Sequence, residues 1–342
     1  MNHIGADVHS SIIELAVVNE KGIYGEKRIE TSERTLREYV NGVGKPRQVI
    51  IEEGELASWV KEVLERCGER VIITDPKRNR WIGKSEQKND RVDAKKLALL
   101  NRGGYTKEIV HPKGVRKSYR EWVQHYEDLV KEQTRLKNKI KGKFRRYGVR
   151  CSGKTVYDEE RQTEWLSKLP KGSGVEWQVK EWMELLWIIQ AKVENAKGYF
   201  RQMRRDCEEV RFFCALPGVD LIRACTFSAI VSTPHRFANK KQLWMYAGLG
   251  VISRESGGKI YTKRLSHDYN RLLKKTMKMA AKSAVQTSKD DNEFRRQFFR
   301  LTMEQGIPEH RALLTVARSM TSVMYGMWKR GKAYEPRLKL SS

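Results

Sequence analysis

Five short runs of strand-forming residues fall within the first 75 positions, and that density leaves few folds open. They are His3–Ala6, Ile12–Val18, Ile23–Ile29, Gln48–Ile51 and Val71–Thr74, with a turn at Asn19-Glu20-Lys21-Gly22 between the second and third. Helical spacing takes over at Thr35–Val40, which Asn41-Gly42 stops. It returns at Leu56–Cys67, where Leu56, Trp59, Val60, Val63 and Leu64 share one face and Gly68 stands at the C-cap position. Asp93–Asn101 is helical again, and Gly103-Gly104 ends it. Strands first, then strands alternating with helices, predict an α/β layered domain.

The texture then changes twice. Ser118–Tyr147 and Glu176–Val210 are long, charged and helical, around a loop at Cys151–Gly174. Trp122, Tyr126, Leu129, Val130 and Leu136 stripe the first, and Trp182, Leu185, Leu186, Ile189, Val193 and Ala196 the second. The pair predicts an antiparallel arm or coiled coil; a plain helical hairpin closing the first domain fits the same pattern. From Phe212 onward the chain reads as mostly helical: Leu221–Val231, Lys240–Gly248, Asn270–Thr287, Asn292–Gln305 and Glu309–Arg330, with a glycine-rich loop at Arg254–Lys259. The expected division is 1–114, 115–210 and 211–335.

Charge narrows the partners. Lys and Arg number 68 against 42 acids, a formal charge of +26 on 342 residues, while the 39% hydrophobic content still allows real cores. Such a surplus calls for a polyanion, and nucleic acid is the natural one. No apolar run approaches the roughly 18 residues that a membrane span needs. Met-Asn-His-Ile-Gly-Ala-Asp at the start has no basic region followed by an apolar stretch, so a cytoplasmic location is expected. The five cysteines, Cys67, Cys151, Cys207, Cys214 and Cys225, are odd in number and form no CxxC pair. Neither zinc nor a disulfide framework is expected of them.

Four acids stand out by position. Asp7 closes the first strand run, Glu52 follows the apolar Val49-Ile50-Ile51, and Asp90 and Asp93 open a helix, three apart and so on one face. Carboxylates from strand ends and a helix start are what metal-assisted phosphoryl chemistry needs, because hard oxygen ligands hold Mg²⁺ beside the reacting phosphate. Taken alone, Asp90 reads better as a helix cap. Glu53 and Glu55 compete with Glu52, which is taken because it directly follows the strand. Ser256 lies between Glu255 and Gly257-Gly258, a loop whose backbone can approach a phosphate closely. A serine there can attack a phosphodiester, although Ser-Gly-Gly alone also fits a flexible loop. Leu216-Pro217-Gly218-Val219 is similar to the turn of a helix-hairpin-helix module or is an ordinary helix-start turn, with Asp220 where a second glycine is usual. Aromatics are interleaved with basic residues at Arg78, Arg80 and Trp81, at Lys141–Tyr147 and at Arg201–Arg205. Residues expected at nucleic-acid phosphates are Arg78, Arg80, Lys240, Gly257, Lys259, Lys263, Arg264 and Arg271.

In this order the stretches resemble the one-ten insertion-sequence family, the DEDD transposases described as RNA-guided recombinases. The carrying residues are Ile4-Gly5-Ala6-Asp7-Val8, Ile51-Glu52-Glu53-Gly54 with Ala57 and Trp59, Asp75-Pro76-Lys77-Arg78-Asn79, and Lys88–Leu97. The second half adds Leu216-Pro217-Gly218, Phe237, Ala247-Gly248-Leu249 and Glu255-Ser256-Gly257-Gly258-Lys259. The glycine usual before Asn270 is missing. The resemblance implies an RNase H-like (RuvC-like) first domain, with Asp7, Glu52, Asp90 and Asp93 holding Mg²⁺. It implies Ser256 as a nucleophile that forms a phosphoserine link to DNA. A structured bridge RNA and a dimer or tetramer, in which the acids of one subunit serve the serine of another, are implied as partners. A site-specific invertase of the Piv kind, a RuvC-like junction nuclease that cuts with water, and a non-catalytic nucleic-acid binder are the competing readings.

Overall fold

The computed structural model describes residues 1–76, 89–172, 174–256, 259–286 and 291–335, the side chains of residues 254–263 apart. Two compact units divide the chain, Met1–His111 and Pro112–Ser342.

In the first unit the five expected strands form one sheet in the order β3-β2-β1-β4-β5. Strands β1 (Asn2–Val8), β2 (Ile12–Asn19) and β3 (Gly22–Glu30) are antiparallel neighbours. Strands β4 (Arg47–Glu52) and β5 (Val71–Thr74) run parallel to β1. Alternation along each strand sorts the side chains into two faces. Ile4, Ala6, Ile13, Leu15, Val49, Ile51 and Ile73 share one core with helices α1 (Glu33–Gly42) and α2 (Ala57–Glu65). The opposite face carries Ile50 and Ile72, which pack on Leu97 of α3 (Asp90–Arg102). Edge strand β3 is mostly exposed and carries Glu26, Lys27 and Arg28, charges that discourage further strand pairing.

One glycine sets how close α3 lies. A Cβ on Gly5 of β1 would come within 2.0 Å of the Ala94 carbonyl oxygen and 2.6 Å of the Ala98 nitrogen. The helix therefore rests backbone to backbone on the strand, and only glycine permits it. Across the far end, Asn101 donates to Gln48 at 3.1 Å, a buried polar contact that fixes the helix lengthwise.

The second unit begins with α4 (Val115–Arg146), which packs antiparallel against α6 (Val175–Asp206). Tyr126 meets Phe200 edge-on at one end, and Leu136, Ile140 and Phe144 meet Val179, Met183 and Leu186 at the other. The segment between them is not the open loop expected at Cys151–Gly174. Single turns at Thr155–Tyr157 and Glu159–Arg161 and helix α5 (Gln162–Leu166) fold onto the pair. Trp165 and Trp187 drive this by burying their rings and donating to the Thr155 and Tyr157 carbonyls. The second long helix also stops sooner than its periodicity suggests, at Asp206, and α7 (Glu208–Cys214) starts afresh after extended Cys207.

Helices α8 (Leu221–Val231), α9 (Lys240–Tyr246), α10 (Arg271–Gln286), α11 (Glu293–Phe299) and α12 (Glu309–Arg330) complete the unit. Their core reaches Tyr119, Val123, Phe200 and Met203, so the foot of the long pair is built into it. Where a glycine-rich loop was expected the chain forms a β-hairpin, β6 (Val251–Ser256) and β7 (Lys259–Leu265). The run Val251-Ile252 and Ile260-Tyr261-Thr262 has β-branched and aromatic residues suited to strands, a signal overshadowed by the glycines. Among the described residues no helix is long and apolar enough to cross a membrane.

Candidate carboxylate centre and serine hairpin

Parallel pairing of β1 with β4 matches Gly5 to Ile50 and Ala6 to Ile51. One step further, Asp7 and Glu52 stand side by side at the C-terminal ends of their strands, on the face that α3 covers. Helix α3 begins there. Asn89 caps it by accepting from the Arg91 amide, so the capping role weighed for Asp90 falls to its neighbour. Asp90 and Asp93 in the first turn are left for other work. Arg91 and Lys95 both reach Glu26 of β3, Lys95 at 2.7 Å, and tie the helix start across the sheet.

A group not singled out in the sequence joins the acids. His9 Nε2 lies 3.3 Å from an Asp7 carboxylate oxygen and 3.5 Å from one of Asp90. Ligand atoms of Asp7, His9 and Asp90 all lie within 4.8 Å of one another. The available signal was its position, two residues beyond Asp7 at a strand end. Burial pushes the Asp7 carboxyl above its usual range; His9 pulls it down, and the charges of Asp90 and Asp93 push it up again. Asp93 thus acts electrostatically on Asp7 while pairing with Lys96 at 3.3 Å. Carboxylates held together against mutual repulsion, with hard oxygen donors facing one point, fit a divalent cation.

The neighbouring acids are committed elsewhere. Glu53 accepts from His111 Nε2 at 2.6 Å, and the other ring nitrogen of His111 bonds Ser58 at 2.9 Å. That draws Glu53 away from Asp7 and leaves Glu52 as the β4 acid on the α3 face. Glu14, opposite Asp7 across the β1–β2 ladder, is buried and ion-paired with Arg28 at 2.5 Å.

Ser256 is the last residue of β6, paired with Lys259 of β7. The base of this hairpin is anchored by α12, whose Arg318 donates twice to the Leu249 carbonyl at 3.0 and 2.9 Å. Gly248, at φ +64°, lies flat under the Tyr269 ring, where a Cβ would come within 2.5 Å. Asn270 keeps its place without the missing glycine, because its side chain accepts from the Leu273 amide and caps α10. Arg264, Arg271 and Lys240 are exposed, and Lys259 and Lys263 lie on β7. Arg78, Arg80 and Gly257 lie outside the described residues.

At Leu216–Val219 the contacts favour the ordinary helix-start turn. Asp220 caps α8 by accepting from the Arg223 amide at 2.8 Å, so its own carboxylate occupies the helix start. The adjoining cleft carries Asp291 and Glu293 beside Arg223 and Arg296, and these two cations pair with Asp220 and Asp291. Gly218, at φ +79°, serves packing: a Cβ there would lie 2.3 Å from the Ala280 carbonyl.

A mixed sheet ordered 3-2-1-4-5, with an acid ending each of its two central parallel strands and a helix start opposite them, is the RNase H-like arrangement. Comparison with known proteins narrows the class. A transposase family model for the DEDD group of IS110 matches residues 4–148, and the model described as Transposase IS116/IS110/IS902 family matches residues 210–298. The transposase for insertion sequence element IS1111A of Coxiella burnetii (strain RSA 493 / Nine Mile phase I) is 22% identical over 97% of this chain and 90% of its own length. The Insertion element IS110 uncharacterized 43.6 kDa protein of Streptomyces coelicolor is 27% identical over 36% of this chain and 30% of its own length. Among solved structures, T. thermophilus RuvC in complex with a Holliday junction substrate aligns with 32% of this chain and 99% of its own, at 17% identity and a TM-score of 0.25.

The chain belongs to the IS110 family of transposases. It is accordingly an enzyme of DNA cleavage and recombination, and Asp7, His9 and Asp90 form a group that could hold a metal ion.

Proposed function

We propose that this transposase cuts and rejoins DNA through a covalent link to Ser256, assisted by Mg²⁺ at Asp7, Glu52, Asp90 and Asp93. The observation that carries the reading is the gathering of Asp7 and Asp90, 83 positions apart in sequence, around one point with His9 between them. Magnesium bound there would supply Lewis-acid stabilisation of charge on the phosphate oxygens. His9 is added as a further polar group of the centre.

The serine step balances without a high-energy cofactor. Ser256 Oγ bonds to phosphorus and gives up its proton, the bond from phosphorus to the 3′-oxygen breaks, and that oxygen leaves as a hydroxyl. Rejoining reverses this: a 3′-hydroxyl from the exchanged strand attacks the phosphoserine and Ser256 recovers its proton. Phosphate contacts fall to Lys240, Lys259, Lys263, Arg264 and Arg271 and to the Gly257 amide, with Arg78 and Arg80 on the first domain. Residues 1–114 act as the metal domain, 115–210 as an arm for subunit contact, and 211–335 as the serine domain. An element-encoded structured RNA selects donor and target, and a dimer or tetramer brings the acids of one subunit to the serine of another. The charge of +26 supports partners of this kind.

The test incubates the purified chain with Mg²⁺, the element-encoded RNA and labelled donor and target DNA, and looks for a denaturation-resistant protein–DNA adduct. The adduct is expected in wild type and absent in Ser256→Ala and Asp93→Ala. Hydrolytic cutting that persists in Ser256→Ala would replace the serine reading with a nuclease that uses water.

A further inference from the structure

Helix α4 contains no acid between Arg135 and Arg146, yet it carries Arg135, Lys137, Lys139, Lys141, Lys143, Arg145 and Arg146 there. Leu136, Ile140 and Phe144 face the core, so the cations split to the two flanks of the buried stripe. On one flank Lys137 and Lys141 lie over the Tyr157 ring. On the other, Lys131, Arg135, Lys139, Lys143 and Arg146 line an open groove of about 790 Å³ that Lys275 of α10 also lines. The five α4 cations recur at about 6 Å intervals over about 22 Å by helical rise.

Three features distinguish this groove from a solvated charged face. The described lining includes no acid. Lys131 and Arg135 do pair, with Asp128 and Glu132, but in the open where such pairs are weak, and Lys275 pairs with Glu127. No ion pair with a carboxylate engages Lys139, Lys143 or Arg146 among the described residues. The ammonium groups of Lys139 and Lys143 are held over the face of Trp182 from α6, at 5.5 and 5.6 Å from the ring centre, which keeps two like charges in register. Gly142, four residues before the end of α4, sits on the groove wall with nothing within 4 Å of where its Cβ would be. A helix-interior glycine is unfavourable and here has no internal packing reason, which fits a ligand that comes close to the backbone.

We propose that this groove between α4 and α6 binds the sugar–phosphate backbone of duplex DNA flanking the cut site. The choice of DNA rests on the transposase reading, since DNA is the polyanion that family membership brings to the chain. Over about 22 Å of its axis a duplex carries about 13 phosphates on its two strands together, several of them on the side facing the groove. Binding here is independent of base sequence, because contacts to the sugar–phosphate backbone carry no sequence information directly.

The test uses the full chain carrying Asp93→Ala, so that binding is read without cutting, and measures affinity for duplex DNA and for structured RNA against salt. Combining Lys139→Gln, Lys143→Gln and Arg146→Gln should lower the DNA salt slope by roughly 0.9 per cation removed, so by about 2 to 3. Gly142→Leu is a second variant: it should keep or raise thermal stability while weakening DNA binding, which separates occupancy of the groove from damage to the fold. An unchanged slope and affinity in both would overturn the groove while leaving the transposase reading intact. Loss of RNA binding with DNA binding kept would reassign the groove to RNA and overturn the proposal as stated. Failure of the parent chain to bind DNA at low salt would defeat both.

Discussion

The acids and the serine are supported in opposite ways. Asp7 and Glu52 end strands that are hydrogen-bonded on both sides, and α3 is jammed onto β1 at Gly5, so the acid-bearing helix turn has one place to go. Ser256 ends a strand of a two-stranded ribbon, an element that buries little and is marginal in isolation. Its position comes from its base: the Arg318 hydrogen bonds, the Gly248–Tyr269 contact and the Asn270 cap. The acids sit at strand ends and a helix start built onto a sheet core. Ser256 sits on a two-stranded ribbon held at its base.

Breaking one side should leave the other. The largest effect is expected of Gly5→Val, whose branched side chain would collide with the Ala94 backbone. It should destabilise the first unit by about 3 kcal/mol and abolish cleavage, while the second unit keeps its own calorimetric transition. Arg318→Met acts on the other side. Losing both bonds to Leu249 should cost about 2 kcal/mol and reduce serine–DNA adduct, with the metal-induced rise in Tm unchanged. A metal-induced rise lost in Arg318→Met would mean the two supports are not separate.

Asp7→Asn sharpens the electrostatic contrast. Because folding raises the Asp7 pKa through burial, ionised Asp7 opposes folding. The stabilisation from its protonated form is present below the unfolded pKa and is lost as pH rises through the folded value. At neutral pH and without metal, Asp7→Asn should therefore raise Tm slightly. It should also forfeit the gain from divalent metal, about 2.7 kcal/mol for wild type at a hundred times Kd. A lower metal-free Tm in Asp7→Asn would contradict this. The smallest effect belongs to Asn270→Ala, which removes the α10 cap for about 1 kcal/mol and should slow adduct formation only modestly.

Much of the architecture was legible because it is local. Each expected strand of the first domain appears within a few residues of its run, since periodicity and turn chemistry act over short stretches. The hairpin at Val251–Leu265 differs from the expected loop because Gly257-Gly258 and the charges around them mask the strand signal of the β-branched residues. The segment Cys151–Gly174 is more ordered than its local sequence suggests because its order depends on tryptophans docking against partners 10 and 30 positions away. The Leu216–Val219 turn was correctly placed before a helix, but its chemistry turned on Asp220 becoming the cap.

By itself, the sequence determined the strand and helix alternation, the excess of positive charge and the order of the acids, all properties of neighbours along the chain. Tertiary structure decided which acids share a face. Sheet order and a backbone-close helix bring residues 7, 9 and 90 together, and His111 hydrogen-bonds Glu53. Those choices depend on contacts between distant segments, whose geometry is set by packing and cannot be read from spacing.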